Sequence, residues 1–298
     1  MPDNDHLTNL FALVDEDAAP IRRIPLTAAL NTELAQLFAK QQAALIGDKQ
    51  PIAFTGSYNV DAGEIFTLAN YPLPPVIGQA IGNPLTCPVL NLNTETHRIK
   101  ALFSGTWSAT AKTVNFQIFD ASKLLKRGFT LIGSGDIYKK LEEPGLMLQD
   151  KLTAHYHNGA LYFSSYHNTK RFLDLADYYR EATDTDLDGF AAIELFAFED
   201  EAGFKAQADS IIRKKIALLQ KNEILKDITV TDIQIVANNF NAELPEEHHI
   251  NITVNAEGKL VIPDDKKQLK ELIRFLDEDY VTAPLTKRKC LTNSKQYL

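Results

Sequence analysis

Along the first part of the chain, Leu30, Leu34, Leu37, Phe38 and Leu45 recur at the spacing of one helical face, with Asn31 or Thr32 placed to cap the first turn. The period then drops to two. Val114, Phe116 and Ile118, and further on Phe129 and Leu131, alternate with small or polar residues, as strands with one buried face do. Over 152–166 two alternating runs flank Asn158-Gly159. Both central positions of a type I′ turn take positive φ, so this dipeptide predicts a hairpin. Phe172, Leu175, Ala176 and Tyr179 then lie on one stripe and predict an amphipathic helix over 170–182.

A longer helix is expected over about 203–221, with Phe204, Ala208, Ile211, Ile212, Ile216 and Leu219 inward and Arg213, Lys214 and Lys215 partly outward. Residues 250–254 and 260–262 flank Glu257-Gly258, a second turn dipeptide, and Leu269, Leu272, Ile273 and Leu276 mark a short helix before a basic tail. These elements predict a mixed α/β (α+β) fold: an antiparallel, hairpin-rich sheet with a more helical C-terminal part. No repeat period appears. The acidic, glycine-containing stretch 183–189 is the expected boundary between an N-terminal region, 1–183, and a C-terminal region, 184–298.

Residues 65–94 carry no charge, yet Pro72, Pro74, Pro75, Gly78, Gly82, Pro84 and Pro88 interrupt them. Lipid offers the freed backbone groups no partner, so this stretch is expected to be a packed irregular connector and not a membrane span. At 45% apolar content, 298 residues can bury a full core, which excludes a disordered chain. A formal charge of −8 argues against a protein coated in positive potential. Cys87 and Cys290 form no disulfide framework and no Cys-based zinc site. The acidic N-terminus lacks the basic start and apolar run of a secretory signal, so a cytoplasmic location is expected.

Several constellations resemble chemistry without completing it. Asp184, Asp186, Asp188 and Gly189 match the first half of a calcium loop, but Leu195 stands where the bidentate glutamate belongs, and an acidic surface turn explains them as well. Glu246, Glu257 and Lys259 have the residue types of a metal-dependent nuclease, although Glu257 falls at the expected turn. His155 and His157 share one strand face with His167 just beyond, and no third ligand is indicated; His248-His249 is a weaker pair. Gly133-Ser134-Gly135 lacks the third glycine of a dinucleotide fingerprint, and no phosphate-binding loop or hydrolase elbow is present. No cofactor and no catalytic residue is therefore expected.

Charge is uneven. Residues 1–150 sum to −3, 151–200 to −5 and 201–298 to zero. Within the last part, 205–226 holds six basic residues against two acidic ones, and Lys287, Arg288, Lys289 and Lys295 crowd the tail without an acid. Lys123, Lys126 and Arg127 form a smaller cluster. Each alone suits a solvated face; together they would suit phosphate.

Leu161-Tyr162-Phe163, the run Arg171-Phe172-Leu173-Asp174-Leu175 and Tyr178-Tyr179 resemble the KwaB-like family of the Kiwa anti-phage system. Gly258-Lys259-Leu260-Val261-Ile262, the segment 270–277 and the closing stretch 285–295 are similar to the same family's end. The resemblance runs from about Leu146 onward and more faintly from Ile52, on structural and not catalytic positions. It implies a cytoplasmic DNA-binding effector that works with a membrane-embedded partner, KwaA, and restrains phage DNA replication and late gene expression. Charge then assigns phosphate contact to Arg213, Lys214, Lys215, Lys287, Arg288 and Lys289, with Lys126 and Arg127 as further candidates. A homodimer or higher homo-oligomer is expected, and dimer formation would join two patches into one groove. A metal-dependent nuclease built on Glu246, Glu257 and Lys259, or on the central aspartates, is the enzymatic alternative. An interaction subunit that docks a membrane partner through 65–94, without touching DNA, is the other.

Overall fold

The computed structural model describes residues 9–95, 98–125 and 130–295. Its chain divides into two compact units, one ending at Phe54 and resuming over Val60–Asp174, the other formed by Leu175–Leu298 together with the short segment Thr55–Asn59.

In the first unit β1 (Phe11–Val14) and β2 (Ile21–Arg23) precede α1 (Ala28–Leu45), β3 (Gln50–Ala53), β4 (Glu64–Leu68) and α2 (Pro75–Gly82). The long strands β5 (Ile99–Trp107) and β6 (Lys112–Ile118) follow, then the short β7 (Leu124–Leu125), β8 (Leu131–Ser134), β9 (Ile137–Lys140) and β10 (Gly145–Leu146). The hairpin β11 (Ala154–His157) and β12 (Ala160–Phe163) and the single turn α3 (Tyr166–Thr169) complete it. Eight strands form one sheet in the order β2-β1-β5-β6-β11-β12-β4-β3, antiparallel except for β3 beside β4.

Register explains the core. Phe11 faces Phe103, Phe103 faces Phe116, Phe116 faces Ala154, Ala154 faces Phe163 and Phe163 faces Phe66, so one row of aromatics crosses the sheet on a single face. Phe11 and Phe103 stack at 5.1 Å, and Phe66 and Phe163 lie 5.6 Å apart. The opposite face takes α1, whose Leu34, Phe38 and Leu45 pack on Ala12, Ile65 and Leu102. Burying each such side chain contributes about 2 kcal/mol. Beneath α1 a closed amide network satisfies its own polar atoms. Gln117 Nε2 donates to Gln41 Oε1 at 2.7 Å, and Gln41 Nε2 donates to the Gln149 carbonyl at 2.8 Å.

The second unit orders α4 (Asp184–Ala191), β13 (Phe196–Phe198), α5 (Glu201–Gln207), α6 (Ser210–Lys221), α7 (Val230–Asn241), β14 (Leu260–Ile262), α8 (Lys266–Leu276), β15 (Tyr280–Thr282) and β16 (Lys289–Leu291). Its core gathers Leu187 and Phe190 from α4, Phe204 from α5, Ile212, Ile216 and Leu219 from α6, and Leu269, Leu272 and Ile273 from α8.

Several elements differ from the sequence expectation, each for a local reason. The first helix begins at Ala28 because Thr27, and not Asn31 or Thr32, accepts the first-turn Leu30 amide. The uncharged stretch 65–94 is not irregular throughout: it holds most of β4 and also α2, where Pro75 sits at a first-turn position that needs no amide donor. No helix forms over 170–182. Separate turns, with Phe172 and Leu173 amides donating to Thr169 and those of Tyr178 and Tyr179 to Leu175, reproduce helical spacing without a continuous ladder. The expected 203–221 helix is two helices. Asp209 caps α6 by accepting from the Ile211 and Ile212 amides, which ends α5 one turn earlier. Of the expected hairpin over 250–262, only β14 is a named strand, and it pairs in parallel with β13 while Val254 makes a single bridge to Leu260. Phe129 lies outside the described residues.

Candidate nucleic-acid interface

Consecutive helical residues are set about 100° apart, so Arg213, Lys214 and Lys215 on α6 cannot share one direction. Arg213 turns toward α4. Its Nε and Nη1 donate to the carbonyls of Ala208 and Ala182 at 2.9 Å each, and Nη2 lies 2.8 Å from Asp184 Oδ1. Lys214 Nζ stands 3.7 Å from Glu181. Lys215 goes the other way, 2.7 Å from Oδ2 of both Asp277 and Asp279.

Those two aspartates follow α8 and are almost completely buried. Glu278 between them has φ 57°, a left-handed turn residue that lets both carboxylates reach the same ammonium groups. Lys295 Nζ lies 3.0 Å from Asp277 Oδ2 and 3.1 Å from Asp279 Oδ1, and it also donates to the Asp277 carbonyl. Arg274 Nε reaches Asp279 Oδ2 at 3.1 Å. Three cations meet two carboxylates, and the acids are fully satisfied by charged donors. A cleft of about 150 Å³ above this network is lined by Lys214, Lys215, Lys295, Ser57, Tyr179 and Asn293. Asp277 and Asp279 escaped the sequence reading as a site, and Lys295 entered it only as part of the basic tail, not as their counter-ion. The only local hint is the D-x-D spacing at the end of an amphipathic helix.

The tail cluster splits as well. Lys287 (φ 59°) and Arg288 occupy the tip between β15 and β16, exposed and without a side-chain partner among the described residues. Lys289 turns inward. Its Nζ sits 4.6 Å above the Phe240 ring, 2.9 Å from Thr282 Oγ1 and 3.3 Å from Glu243. Lys126 and Arg127 lie outside the described residues.

The acidic candidates are helical. Asp184, Asp186 and Asp188 belong to α4, with Asp186 reciprocating the Thr183 cap, so the alternate carboxylates of a calcium loop do not converge here. Each takes a different cation: Asp184 meets Arg213, Asp186 meets Arg180, and Asp188 meets Lys205. The Arg180 guanidinium and the Thr183 hydroxyl hold the Asp186 carboxyl well below the usual range. Among the described residues no group of three or more His, Cys, Asp or Glu is placed to share a metal ion. Glu246 opens a short 3-10 turn, and exposed Glu257 sits in the turn that the Asn255 side chain closes by accepting from the Glu257 and Lys259 amides. His155 is buried, with Nδ1 2.6 Å from Asn115 Oδ1, and its ring stacks 6.1 Å from that of His157. Burial pushes its pKa down to about 4. His167 is exposed, and His249 Nε2 lies 3.0 Å from the Leu244 carbonyl.

No helix among the described residues is long and apolar enough to cross a membrane. Comparison with curated proteins returned no match, and comparison with solved structures returned none. A family model described as Kiwa protein KwaB-like matches residues 111–286. That span takes in the Asn158-Gly159 hairpin, the α6 cations and the paired aspartates, ends one residue before Lys287, and covers more than half of the chain; the protein therefore belongs to the KwaB-like family and is a component of Kiwa anti-phage defence.

Proposed function

We propose that this Kiwa component is a non-catalytic effector that binds DNA without sequence specificity and, with a membrane-embedded partner of the same system, restrains phage DNA replication and late gene expression. One observation carries the DNA contact: Lys287 and Arg288 are exposed at a hairpin tip, whereas among the other described candidates Arg213, Lys215 and Lys289 are held by carboxylates. A free cation neutralises a phosphate without first breaking an ion pair. In this reading Lys287 and Arg288 meet the backbone, with Lys214 beside them in role, since its carboxylate partner is a distant 3.7 Å away. Arg213, Lys215 and Lys289 keep those surfaces in place, and Lys126 and Arg127 retain the assignment their charge gives them. The net charge of −8 does not oppose this, because screening over about 8 Å at physiological salt isolates a local patch from distant acid.

Salt-titrated fluorescence anisotropy on purified protein and an arbitrary duplex tests the reading. The two tip contacts contribute about −2 to the slope of log affinity against log salt, and a homodimer presenting two tips doubles that contribution to about −4. Lys287→Gln with Arg288→Gln is expected to flatten the slope accordingly. An unchanged slope removes the tip from the interface, and absence of binding at low salt, where the electrostatic term is largest, removes the DNA reading itself.

A further inference from the structure

The turn between β15 and β16 is fixed at its base and bare at its apex. The Ala283 amide donates to the Arg288 carbonyl and the Lys287 amide to the Ala283 carbonyl, both at 2.9 Å, so residues 284–287 are held as a closed loop. Pro284 has its φ locked by its own ring, which stiffens the way into the apex. Leu285 follows and keeps 94% of its surface in water. Reversing the chain does not call for an apolar side chain, since turn positions are ordinarily filled by Gly, Asn, Asp or Ser.

Lys287 adds a second observation. Its φ of 59° lies in the left-handed region, which Gly or Asn adopts at less cost than a lysine does. A strained position that keeps a long cation, with Arg288 next to it, is one where the side chain is used. Both cations are exposed, with no side-chain partner among the described residues. Charge and area then choose the occupant. An open leucine with two unpaired cations close behind it suits a polyanion with an apolar interior, and a nucleic-acid duplex carries its phosphates outside and its stacked bases within. Holding a protein on an acyl surface takes an apolar helix face or a lipid chain, and one leucine supplies neither. One leucine is enough to part a single base step.

We propose that Leu285 is a wedge: with Lys287 and Arg288 on the phosphates, it enters between two adjacent base pairs and partly unstacks them, so that the tip bends the duplex it binds and prefers a duplex whose stacking is already weakened. This deepens the DNA-binding reading and rests on it. Phosphate contact by the two cations does not need the leucine, so the two readings fail separately.

The test measures fluorescence anisotropy of the full chain, Leu285→Ala and Leu285→Met on a short fluorescein-labelled duplex and on the same duplex carrying one central mismatch. A mismatched step is easier to unstack, so the wild-type chain is expected to bind it about tenfold more tightly than the perfect duplex. Leu285→Ala is expected to erase that preference while the salt slope holds, because the slope counts phosphates. Leu285→Met, a swap that conserves volume, is expected to keep the preference. The melting temperature of Leu285→Ala is expected to stay put, since the side chain lies outside the core. Equal wild-type affinity for the two duplexes, or a preference that survives in Leu285→Ala, overturns the wedge and spares the phosphate contacts. Absence of wild-type binding to either duplex at low salt overturns both readings. Cosedimentation of the wild-type chain, but not of Leu285→Ala, with vesicles of phosphatidylcholine and phosphatidylglycerol, at equal DNA affinity of the two proteins, assigns the leucine to a lipid surface and overturns the proposal.

Discussion

The Lys215 ammonium lies 2.7 Å from Oδ2 of Asp277, a residue 62 positions further along the chain whose side chain keeps 2% of its exposure. With Asp279, Lys295 and Arg274 this pair ties α6, the end of α8 and the C-terminal segment together. A lysine that looks like part of a basic surface stripe is instead a structural counter-ion.

Removing one acid from that network uncovers its cations. Asp279→Asn leaves Lys215, Lys295 and Arg274 with a single carboxylate, and the loss is expected to cost about 3 kcal/mol, read from the urea midpoint at constant m-value. Lys267→Gln, whose Glu271 partner is 3.9 Å away on an exposed face, is the control and is expected to change stability by less than about 0.5 kcal/mol.

His155 sets a pH dependence with a definite sign. Burial, aided by the nearby His157 charge, lowers its pKa from 6.5 to about 4, so the unfolded chain binds the proton more readily than the folded one. The stabilising contribution is complete above pH 6.5 and declines as the pH falls from there toward 4, by about 3 kcal/mol in all. His155→Gln is expected to flatten the unfolding free energy across that window; an equally steep wild-type and variant curve would contradict the assignment.

Two glycines with positive φ should respond unequally to alanine. Gly56 has φ 84°, and a Cβ there would lie 2.4 Å from Tyr179 Cδ2, so Gly56→Ala combines backbone strain with a clash and is expected to cost about 2 kcal/mol or more. Gly159 has φ 97° with open space around it, and Gly159→Ala is expected to cost only about 1 kcal/mol. Thermal melts of the two variants check the order.

Arg213 and Lys287 are expected to separate stability from binding. Arg213→Gln breaks its ties to Ala182, Ala208 and Asp184, so the melting temperature falls while the DNA salt slope holds. Lys287→Gln does the reverse, because its exposed side chain has no such ties among the described residues. Identical behaviour of the two variants in both assays would show that the ion pairs do not divide the cations by role.

Local chemistry made part of this protein legible. Asn158-Gly159 announced its hairpin because the positive φ values, 45° and 97°, are a demand of the turn itself, and the Leu269, Leu272, Ile273 stripe announced α8 because Asp265 caps it at once. Where periodicity was ambiguous it misled: the 170–182 stripe came from separate turns, and Asp209 hid a helix start inside a longer periodic run. The candidate site was legible only as composition. Arg213, Lys215, Lys287 and Lys289 carry the same sign in sequence, and nothing local distinguishes those that face acid from those that face water.

The amino-acid order by itself determined the mixed α/β class, the turn at 158–159 and the family to which the chain belongs, since each depends on neighbours within a few turns or on a linear pattern. Tertiary structure alone decided which cations remain free. Desolvation makes an unpaired buried charge intolerable, so Asp277 and Asp279 had to recruit Lys215 and Lys295 from distant parts of the chain, whereas no buried acid among the described residues draws in Lys287 and Arg288, which stay exposed.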